Sequence, residues 1–576
     1  MKTEAIATQK DSSGINQQIT GSEILLRSLI AEEVQTLFGY PGGAIMPVYD
    51  SLYSFSDQLK HILVRHEQGA IHAAQGFARV SGKTGVVLAT SGPGATNLIT
   101  GLADAMIDST PLVCITGQVA SHLLGTDAFQ ETDIINISLP VTKWNIQVTR
   151  AADVASAVAR AFFIAKSGRP GPVLIDITKD AQFEMADFHY EICHQLKTYK
   201  PIPNPDQRSI AEAAKLINEA SRPYILSGQG IILSGAQTEL IDCAEKAGIP
   251  VASTLLGLSG FPASHPLYVG YLGMHGNYSP NVNTNECDVL IAIGMRFDDR
   301  VTGNVAKYAP NAKVIHIDID ESEIGKIIKT EVGIHADAKH ALTLLLPHLK
   351  KTEHPEWLAS FKKLDELEKA IIQQDCHPEC EGLKMGEVVR RLNQITQGNS
   401  VVCTDVGQHQ MVTSRYYSFN DLRSCISSGG LGTMGFCLPA AMGAKCGAPE
   451  KDVIAIIGDG GFQMTIQELG TIMQYQIPVK IIILNNNFLG MVRQWQQLFF
   501  DKRYSFTEMD NPDFVAIAKA YRIESQKVES RDYLDQALMD MMNHKGPYLL
   551  EVVVEKEENV FPMVPTGAGV AEMRLT

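Results

Sequence analysis

Short runs of apolar, largely β-branched residues recur along the chain, and stretches with helical character separate them. In the first third these runs are VQTLFGYPG, GVVLAT, PLVCITG and GPVLIDI. Later runs are PYILSG, VLIAIG and KVIHIDID, then VVCTDVG, VIAIIGDG, VKIIILNN and YLLEVVV. Strands that alternate with helices form parallel sheets that helices cover on both faces. The pattern therefore predicts an α/β fold with three doubly wound parallel sheets.

Two polar segments divide this pattern. HQLKTYKPIPNPD carries three prolines and has the composition of a linker, and a charged helical segment near 355–381 contains KKLDELEKAIIQQ. A chain of 576 residues is too long for a single hydrophobic core. We expect domains at 19–188, 205–350 and 384–560, followed by a C-terminal segment at 561–576 that acts as a lid.

Composition narrows the class of partners. The formal net charge of −15 argues against nucleic acid or an anionic membrane as the main partner, and no apolar run is long enough to span a bilayer. The ten cysteines are mostly isolated, as in proteins of a reducing cytosol. The opening MKTEAIATQKDSSGINQQ lacks the patterns of a secretory signal or an organelle import sequence. We therefore expect a short disordered lead-in and a cytoplasmic, bacterial or already mature protein.

The most informative segment runs from VIAIIGDGGF to VKIIILNNNFLG. Two buried strands each end in polar or glycine residues, and open α/β sheets bind ligands at such strand ends. Gly458, Gly460 and Gly461 allow close approach of a phosphate, while Asp459 and Asn486 offer the oxygen ligands that Mg²⁺ prefers. The segment predicts a site for a diphosphate bridged by Mg²⁺; the alternative is a plain strand, turn and helix with an Asp cap.

Glu67 heads the Ala- and Gly-rich helical segment of RHEQGAIHAAQGFARVSG. A carboxylate in a first helical turn is stabilised by the helix dipole, which is the simplest interpretation of this residue. The other interpretation is catalytic. Thiamine-diphosphate enzymes need a carboxyl group that favours the cofactor tautomer able to take the thiazolium proton.

These segments belong to a longer series of motifs in which the chain resembles the catalytic subunits of acetohydroxyacid (acetolactate) synthase, a family of thiamine-diphosphate enzymes. The resemblance covers nearly the whole chain, and only the ordered series makes it specific. Besides the GDG and NNN segments, the motifs are GYPGGAIMPVYD, RHEQGA, TSGPGATN, GTDAFQE, GRPGPVLIDI, LGMHG, GMRFDDRVTG, GQHQM, SSGGLGTMGF, GMVRQWQ and PMVPTGAG.

The resemblance implies a thiamine diphosphate site built from the first and last domains. Glu67 would activate the cofactor, and Met434 would hold it bent, although an ordinary core methionine is the alternative for Met434. The family builds each site from two chains, so a homodimer or larger assembly is implied. The remaining residues assigned here are Gly43, Phe129 and Gln130 near the reacting centre, Gln408 and His409 at the diphosphate, and Asp459, Asn486 and the Phe488 backbone carbonyl at Mg²⁺.

The resemblance places the second substrate beside the NNN segment. Met491, Val492 and Trp495 would wall its pocket, and Arg300 would bind its carboxylate. The alternatives are a buried helix face, and a surface ion pair of Arg300 with Asp298 or Asp299. Lys179 would lie near the access channel.

The middle domain resembles the family's FAD-binding domain. No true G-x-G-x-x-G occurs there, since GQGIIL is the nearest match, so an NAD site is not expected. The family's flavin contacts fall on Gly228, His275, Gly276, Arg296 and Asp318, with Arg169 supplied by the first domain.

The implied activity is that of a transferase. Pyruvate would lose CO₂, and the remaining two-carbon unit would join a second pyruvate or 2-ketobutyrate, giving 2-acetolactate or 2-aceto-2-hydroxybutyrate for valine, leucine and isoleucine synthesis. A separate small regulatory subunit is usual in the family. The alternatives are an FAD- and thiamine-dependent pyruvate oxidase, a catabolic acetolactate synthase without FAD, and a non-catalytic scaffold. Cys437 stands where the family usually has Gly or Ala, and is expected either to tighten packing or to be an oxidisable thiol.

Overall fold

The computed structural model describes residues 18–576, so the predicted disordered lead-in lies outside the described residues except for its last residue, Gln18, which begins a strand. Three six-stranded sheets, in which every strand pair is parallel, account for the fold. Helices flank each sheet, which confirms the predicted α/β class. In residues 18–576 no helix is both long and apolar enough to cross a bilayer. All ten cysteines are free thiols.

The N-terminal sheet lies within residues 36–178, and a short antiparallel pair, β1 with β8, closes the domain. The strands of this domain are β1 (Gln18–Thr20), β2 (Thr36–Gly39), β3 (Lys60–Leu63), β4 (Gly85–Ala89), β5 (Leu112–Gln118), β6 (Trp144–Val148), β7 (Pro172–Thr178) and β8 (Met185–Asp187), of which β2 to β7 form the six-stranded sheet. Its helices are α1 (Gly21–Ala31), α2 (Met46–Tyr53), α3 (Glu67–Ser81), α4 (Pro93–Thr96), α5 (Ile99–Ile107), α6 (Ile134–Ser138), α7 (Ala151–Lys166) and α8 (Lys179–Phe183).

The central sheet lies within residues 223–335. Its strands are β9 (Pro223–Ser227), β10 (Val251–Ser253), β11 (Tyr268–Tyr271), β12 (Val289–Ile293), β13 (Lys313–Asp318) and β14 (Val332–His335). Its helices are α9 (Gln207–Glu219), α10 (Gln229–Ser234), α11 (Gln237–Ala247), α12 (Tyr278–Glu286), α13 (Asp299–Thr302) and α14 (Ala338–Leu345).

The C-terminal sheet lies within residues 401–553, and the connecting helix α15 precedes it. Its strands are β15 (Val401–Thr404), β16 (Cys425–Ser427), β17 (Val453–Gly458), β18 (Lys480–Asn485), β19 (Glu524–Val528) and β20 (Tyr548–Val553). The helices are α15 (Pro355–Cys376), α16 (Met385–Thr396), α17 (Gln408–Tyr416), α18 (Cys437–Gly447), α19 (Asp459–Met464), α20 (Leu469–Tyr475), α21 (Gly490–Phe499), α22 (Phe514–Ala520) and α23 (Arg531–Asn543). Single 3₁₀ turns occur at Ser121–Leu123, Leu139–Val141, Leu255–Gly257, Val305–Lys307, Glu321–Glu323, Leu346–His348 and Ile466–Glu468.

Strand order separates the three sheets into two kinds. Numbered from its own first strand, the central sheet has the order 3-2-1-4-5-6, in which the strand order reverses between β9 and β12. That is the order of dinucleotide-binding sheets, whose ligand lies at the reversal. The N-terminal and C-terminal sheets both have the order 2-1-3-4-6-5. The two outer domains therefore share one topology and the central domain has another.

The two outer domains also share a hydrophobic core. One cluster of buried side chains contains residues of both, from Phe38 to Leu174 and from Val401 to Leu549. Helices α3 and α18 cross at its centre with their backbones in contact. A methyl group on Gly76 would overlap the Ala440 carbonyl, and one on Gly443 would overlap the Ala73 carbonyl. Glycine at both positions allows this crossing.

Candidate active site

Asp459 and Asn486 leave neighbouring strands at the same sheet edge. Strands β17 and β18 pair in parallel with Gly458 opposite Leu484, so the residues after them emerge side by side. Asp459 is buried, which raises the pKa of its carboxyl to about 6. Its Oδ2 accepts a hydrogen bond from Asn511 Nδ2 at 2.6 Å. Asn485 donates to Glu551 at 2.8 Å and accepts from the same Asn511 amide at 3.0 Å, whereas Asn486 is the amide of the pair beside α21.

The oxygen atoms of this segment are suitable ligands for a magnesium ion. The carboxylate of Asp459, the carboxamide of Asn486 and the carbonyl of Phe488 are hard oxygen ligands, and Mg²⁺ in proteins is usually held by few such ligands together with substrate phosphates. Both side chains are buried at the strand ends. In residues 18–576 no group of three His, Cys, Asp or Glu side chains forms a metal site, so a diphosphate would have to complete this one.

Helix α17 brings two further predicted residues to this edge. Gln408 Nε2 donates to Gln494 Oε1 at 2.9 Å and to the Glu558 carbonyl at 2.7 Å, whereas its Oε1 is buried without a partner. His409 Nε2 is also buried without a partner, and burial lowers the pKa of His409 to about 4, which keeps the imidazole neutral. Buried polar atoms are normally satisfied. Of these two atoms, His409 Nε2, in the tautomer that places the proton there, can donate to an anionic ligand such as a diphosphate at this helix start, whereas the Gln408 amide oxygen can only accept.

Met434 reaches the same turn from the loop before α18. Its methyl group lies 3.9 Å from the position of a Cβ on Gly460. The next residue, Gly435, has a φ of +82° and donates its N–H to both oxygens of Asp405 at 3.0 Å. Asp405 is fully buried, which raises its pKa to about 7. We call Gln408, His409, Met434, Asp459 and Asn486 the C-terminal half-site.

Cys437 begins α18 beside this loop. Its Sγ lies 3.1 Å from the Cys403 carbonyl oxygen, and the side chain is fully buried. Burial raises the thiol pKa well above its usual range, which disfavours the reactive thiolate. Of the two expectations for Cys437, the structure favours packing.

Glu67 is the first residue of α3, which His66 caps by accepting from the Gln68 N–H. The Glu67 side chain is buried, and its Oε2 accepts from Asn97 Nδ2 at 2.9 Å. This bond joins α3 to the TSGPGATN segment, whose Gly92 contacts Gln130. The carboxylate therefore has a side-chain partner in addition to the helix dipole.

The other predicted N-terminal residues border open space. A methyl group on Gly43 would meet nothing within 4 Å. Phe129 is 87% exposed, and Gln130 has a φ of +61°, a strained backbone conformation for a residue with a side chain. Lys179 begins α8 and is half-buried. We call Gly43, Glu67, Phe129 and Gln130 the N-terminal half-site.

The two half-sites of one chain lie on different domains. Among residues 18–576 no hydrogen bond or ion pair joins Glu67 to the C-terminal half-site. The start of α3 instead contacts the turn Ile466–Glu468, where the Arg65 N–H donates to Glu468 Oε1 at 3.0 Å. The structure gathers the predicted cofactor residues into two groups on two domains.

Helix α21 has its polar face buried and its apolar face open. Arg493 and Gln494 are buried and bond to the carbonyls of Glu558 and Val560 at 2.6 and 3.1 Å. Val492 is 48% exposed, Met491 and Trp495 are half-buried, and the Trp495 ring packs on Phe499 at 4.9 Å. The predicted substrate residues therefore line an accessible apolar surface, not a core.

Arg300 lies on α13 of the central domain. It is 65% exposed, and its Nε is 3.8 Å from Asp299 Oδ2, so the surface ion pair considered from the sequence is present. The C-terminal segment runs beside it: the Val564 N–H donates to the Met274 carbonyl at 2.8 Å, and the Asn304 N–H to the Ala568 carbonyl at 2.9 Å. The residues expected to form a lid thus pack on the central domain near Arg300.

The central domain has unpaired polar atoms at its strand ends. The hydroxyls of Ser227 and Ser253, which end β9 and β10, are buried without partners, and so is His275 Nδ1. Gly228 lies against Gly294, where a side chain would clash with backbone. Burial lowers the pKa of His275 to about 4. Neutral donors and glycines at the β9–β12 reversal fit a dinucleotide.

The remaining predicted flavin residues are arranged around the domain boundary. The Gly276 carbonyl accepts from Arg415 at 2.9 Å, Arg296 is half-buried, and burial raises the pKa of Asp318 to about 6. Arg169 pairs with Asp320 at 3.2 Å and Glu323 at 3.4 Å. It lines a cavity of about 420 Å³ between the N-terminal and central domains. A bound phosphate at Arg169 would compete with these carboxylates.

Comparison with known proteins agrees with this architecture. The models described as thiamine pyrophosphate enzyme N-terminal TPP binding domain, central domain and C-terminal TPP binding domain match residues 19–137, 210–345 and 405–552. The fold is that of a thiamine pyrophosphate enzyme, with a TPP binding domain on either side of the central domain.

Curated relatives refine this class. The acetolactate synthase large subunit of Corynebacterium glutamicum is 45% identical, over 99% of this chain and 92% of the relative. The one from Lactococcus lactis is 44% identical, over 97% and 96%. The isozyme 2 large subunit of Escherichia coli K12 is 44% identical, over 96% and 99%. The chain belongs to the family of acetolactate synthase large subunits, which confirms the predicted resemblance.

Sequence reasoning missed several residues that hold the site. Asn97, Asp405 and Asn511 are hydrogen-bonded to Glu67, Gly435 and Asp459, and Glu558 supports Gln408 through its carbonyl. Asp405 directly follows β15 in the run VVCTDVG, so a polar residue at a strand end was an available signal for it. Asn97 ends the TSGPGATN motif but caps α4, away from a strand end. Asn511 and Glu558 lie in irregular segments without such a signal.

Proposed function

We propose that this chain forms acetolactate by joining two molecules of pyruvate with loss of CO₂, and forms 2-aceto-2-hydroxybutyrate when 2-ketobutyrate is the acceptor. The observation that carries the proposal is the C-terminal half-site, with its buried unpaired atoms beside Asp459 and Asn486, in a member of this family that covers 92% of a curated relative. Bound thiamine diphosphate would supply the electron sink for the decarboxylation.

The chain's own residues would bind, orient and exclude water. Gln408 and His409 would hold the diphosphate, and Asp459 with Asn486 would hold its Mg²⁺. Glu67 would hold the proton that cofactor activation moves. Met491, Val492 and Trp495 present an open apolar surface that suits the alkyl group of an acceptor keto acid, and Arg300 suits its carboxylate once released from Asp299.

The proposed enzyme is a homodimer in which Glu67 of one chain serves the C-terminal half-site of the other. Support comes from the placement of the half-sites on different domains of one chain and from exposed apolar side chains near both. Phe129 is 87%, Met464 56% and Leu431 46% exposed. Such side chains gain stability when a partner covers them.

The central domain is proposed to bind FAD. The strand order 3-2-1-4-5-6, the unpaired hydroxyls of Ser227 and Ser253, and the Gly228–Gly294 contact support this. The flavin absorption spectrum of the purified protein tests it directly. A small regulatory subunit and a cytoplasmic location are further predictions, of which the first is testable by reconstitution with a candidate small subunit.

The deciding experiment measures acetolactate from pyruvate with thiamine diphosphate, Mg²⁺ and FAD omitted in turn. Activity lost on each omission, with a second product on adding 2-ketobutyrate, is the expected result. Acetolactate that persists without FAD would point to a catabolic synthase. Pyruvate consumed only with an electron acceptor, without acetolactate, would replace the proposal by an oxidase.

A further inference from the structure

The start of α3, which carries Glu67, is held by the C-terminal domain of the same chain. Glu468, at the end of the turn Ile466–Glu468, is fully buried. Its Oε1 accepts from the Arg65 N–H at 3.0 Å, and its Oε2 accepts from the Thr471 hydroxyl at 2.8 Å. A methyl group on Gly69 would overlap Glu468 Oε1, so the carboxylate lies against the first turn of α3.

Further bonds tie the residues before Glu67 to α20. The Leu63 N–H donates to the Tyr475 hydroxyl at 3.0 Å, and the Leu63 carbonyl accepts from Thr471 at 3.2 Å. The Arg65 guanidinium donates to the Gly470 carbonyl at 3.1 Å and to Gln474 Oε1 at 2.8 Å. The backbone from 63 to 65 is therefore fixed relative to α20. Along this contact Glu468 is the buried side chain that accepts from Arg65, the bonded residue nearest to Glu67 in sequence.

We infer that Glu468 is a positioning residue for Glu67, an inference that rests on the proposed function of Glu67. Glu468 accepts the Arg65 N–H two residues before Glu67, and so sets where the catalytic carboxylate points. Without this acceptor the first turn of α3 would open more often. Misplacement of a reacting group by about 1 Å lowers turnover by roughly 100-fold.

The test compares Glu468→Ala, Glu468→Gln and a control, Glu387→Gln, in the full chain. Glu387 is as deeply buried and pairs with Arg391 and Arg531, away from α3. The first measurement is amide hydrogen exchange of residues 63–70 in protein without cofactor. The second is kcat and KM for pyruvate together with the exchange rate of the C2 proton of added thiamine diphosphate.

Glu468→Ala is expected to speed amide exchange at 65–70 by about tenfold, since one buried hydrogen bond is lost. It should lower kcat and C2-proton exchange by roughly 10- to 100-fold and leave KM nearly unchanged. Glu468→Gln keeps an acceptor for the Arg65 N–H, so its amide exchange and its kcat should be close to those of the wild type. Glu387→Gln should change neither the amide exchange at 65–70 nor kcat, even if its melting temperature differs from that of the wild type.

Three outcomes would overturn the inference. They are unchanged amide exchange in Glu468→Ala, a kcat loss in Glu387→Gln equal to that in Glu468→Ala, and a glutamine variant as impaired as the alanine variant. Failure of the proposed function is separate, because a wild-type chain without acetolactate formation would still give a readable amide exchange result.

Discussion

The N-terminal and C-terminal domains are built on one strand order and differ in the residues at the carboxyl ends of their strands. In the C-terminal sheet the third and fourth strands, β17 and β18, lead into Asp459 and Asn486. In the N-terminal sheet the corresponding strands, β4 and β5, end in apolar, glycine and neutral polar residues, and the carboxylate Glu67 comes after the second strand instead. Under the proposed function, one scaffold thus carries the proposed cation site in one copy and the proposed proton-handling group in the other.

The two domains also hold each other in similar ways. Glu468 of the C-terminal domain binds the segment before α3. Asp108 of the N-terminal domain binds the segment before α18, by accepting from the Gly429 and Gly430 N–H groups at 2.8 and 2.7 Å. Each domain therefore fixes the segment that leads into a helix of the other domain, α3 or α18. The two domains thus hold each other in the same way, although their proposed chemical roles differ.

The largest expected effect comes from mixing chains that each lack one of the two proposed roles. Glu67→Gln and Asp459→Ala homodimers should each lose about 1,000-fold or more in acetolactate formation, because one lacks the general acid–base and the other a metal ligand. A mixture of the two chains, refolded or co-expressed, should recover about a quarter of wild-type activity, since about half of its dimers are hybrids and each hybrid carries one intact site of two. The separated hybrid should therefore reach about half of wild-type activity.

Activity assays on the separated hybrid decide this. Two Glu67→Gln chains with different tags give the matched control, and that mixture should stay inactive. An inactive Glu67→Gln/Asp459→Ala hybrid that still forms dimers would falsify the division of each site between two chains.

The next largest effect concerns the loop before α18. Asp108→Ala should lower the free energy of unfolding by about 3–5 kcal/mol, because it leaves Arg79, paired with Asp108 at 2.9 Å and largely buried, without a counter-charge. Chemical denaturation measures this. Asp421→Ala removes an exposed pair with Lys451 and should cost less than about 1 kcal/mol. Equal losses in both variants would contradict the reciprocal hold of the two domains.

Substrate preference should depend on the C-terminal domain alone. Trp495→Leu should lower the preference for 2-ketobutyrate over pyruvate by roughly tenfold, because packing against one extra methylene contributes about 1–3 kcal/mol. Competition between the two acceptors, with both products quantified, measures the ratio. Phe500→Leu, exposed just beyond α21, is the control and should keep the wild-type ratio. An unchanged ratio in Trp495→Leu would remove that residue from the pocket.

The smallest effect is on pH dependence, through the segment that supports α17 and α21. Burial raises the pKa of Glu558 to about 7, above the unfolded value near 4.3. The stability this carboxyl contributes is full below the unfolded pKa and is lost as pH rises through about 7. Glu558→Gln, neutral at all pH values, should melt higher than wild type at pH 8 and similarly at pH 5. A constant difference across that range would count against Glu558 as the titrating group.

Hydrophobic pattern predicted the interior strands, except β10 of the central sheet, and missed the edges. All four interior strands of each outer sheet appear as continuous apolar runs, because both faces are covered by helices. All six edge strands were missed. β3, β6 and β19 read KHIL, WNIQV and ESQKV, and each has exposed or half-exposed positions that interrupt the apolar run.

The same limit applies to the candidate site. Residues that come directly after interior strands, such as Asp459 and Asn486, could be placed from the sequence because parallel strands end at one edge. Partners that approach from distant segments could not. Asn511 lies 52 residues beyond Asp459, and Glu468 is 403 residues beyond Arg65, so no local pattern relates them.

The shared core of the outer domains has a consequence for synthesis of the chain. Residues from Phe38 to Leu174 are made first, but their cluster is completed by residues from Val401 to Leu549. During translation the α3 face of the N-terminal domain therefore stays exposed until the central and C-terminal domains have been made. Contacts so distant in sequence slow folding and prolong exposure of apolar surface. A growing chain of this kind has a long interval in which chaperones would be needed to prevent aggregation.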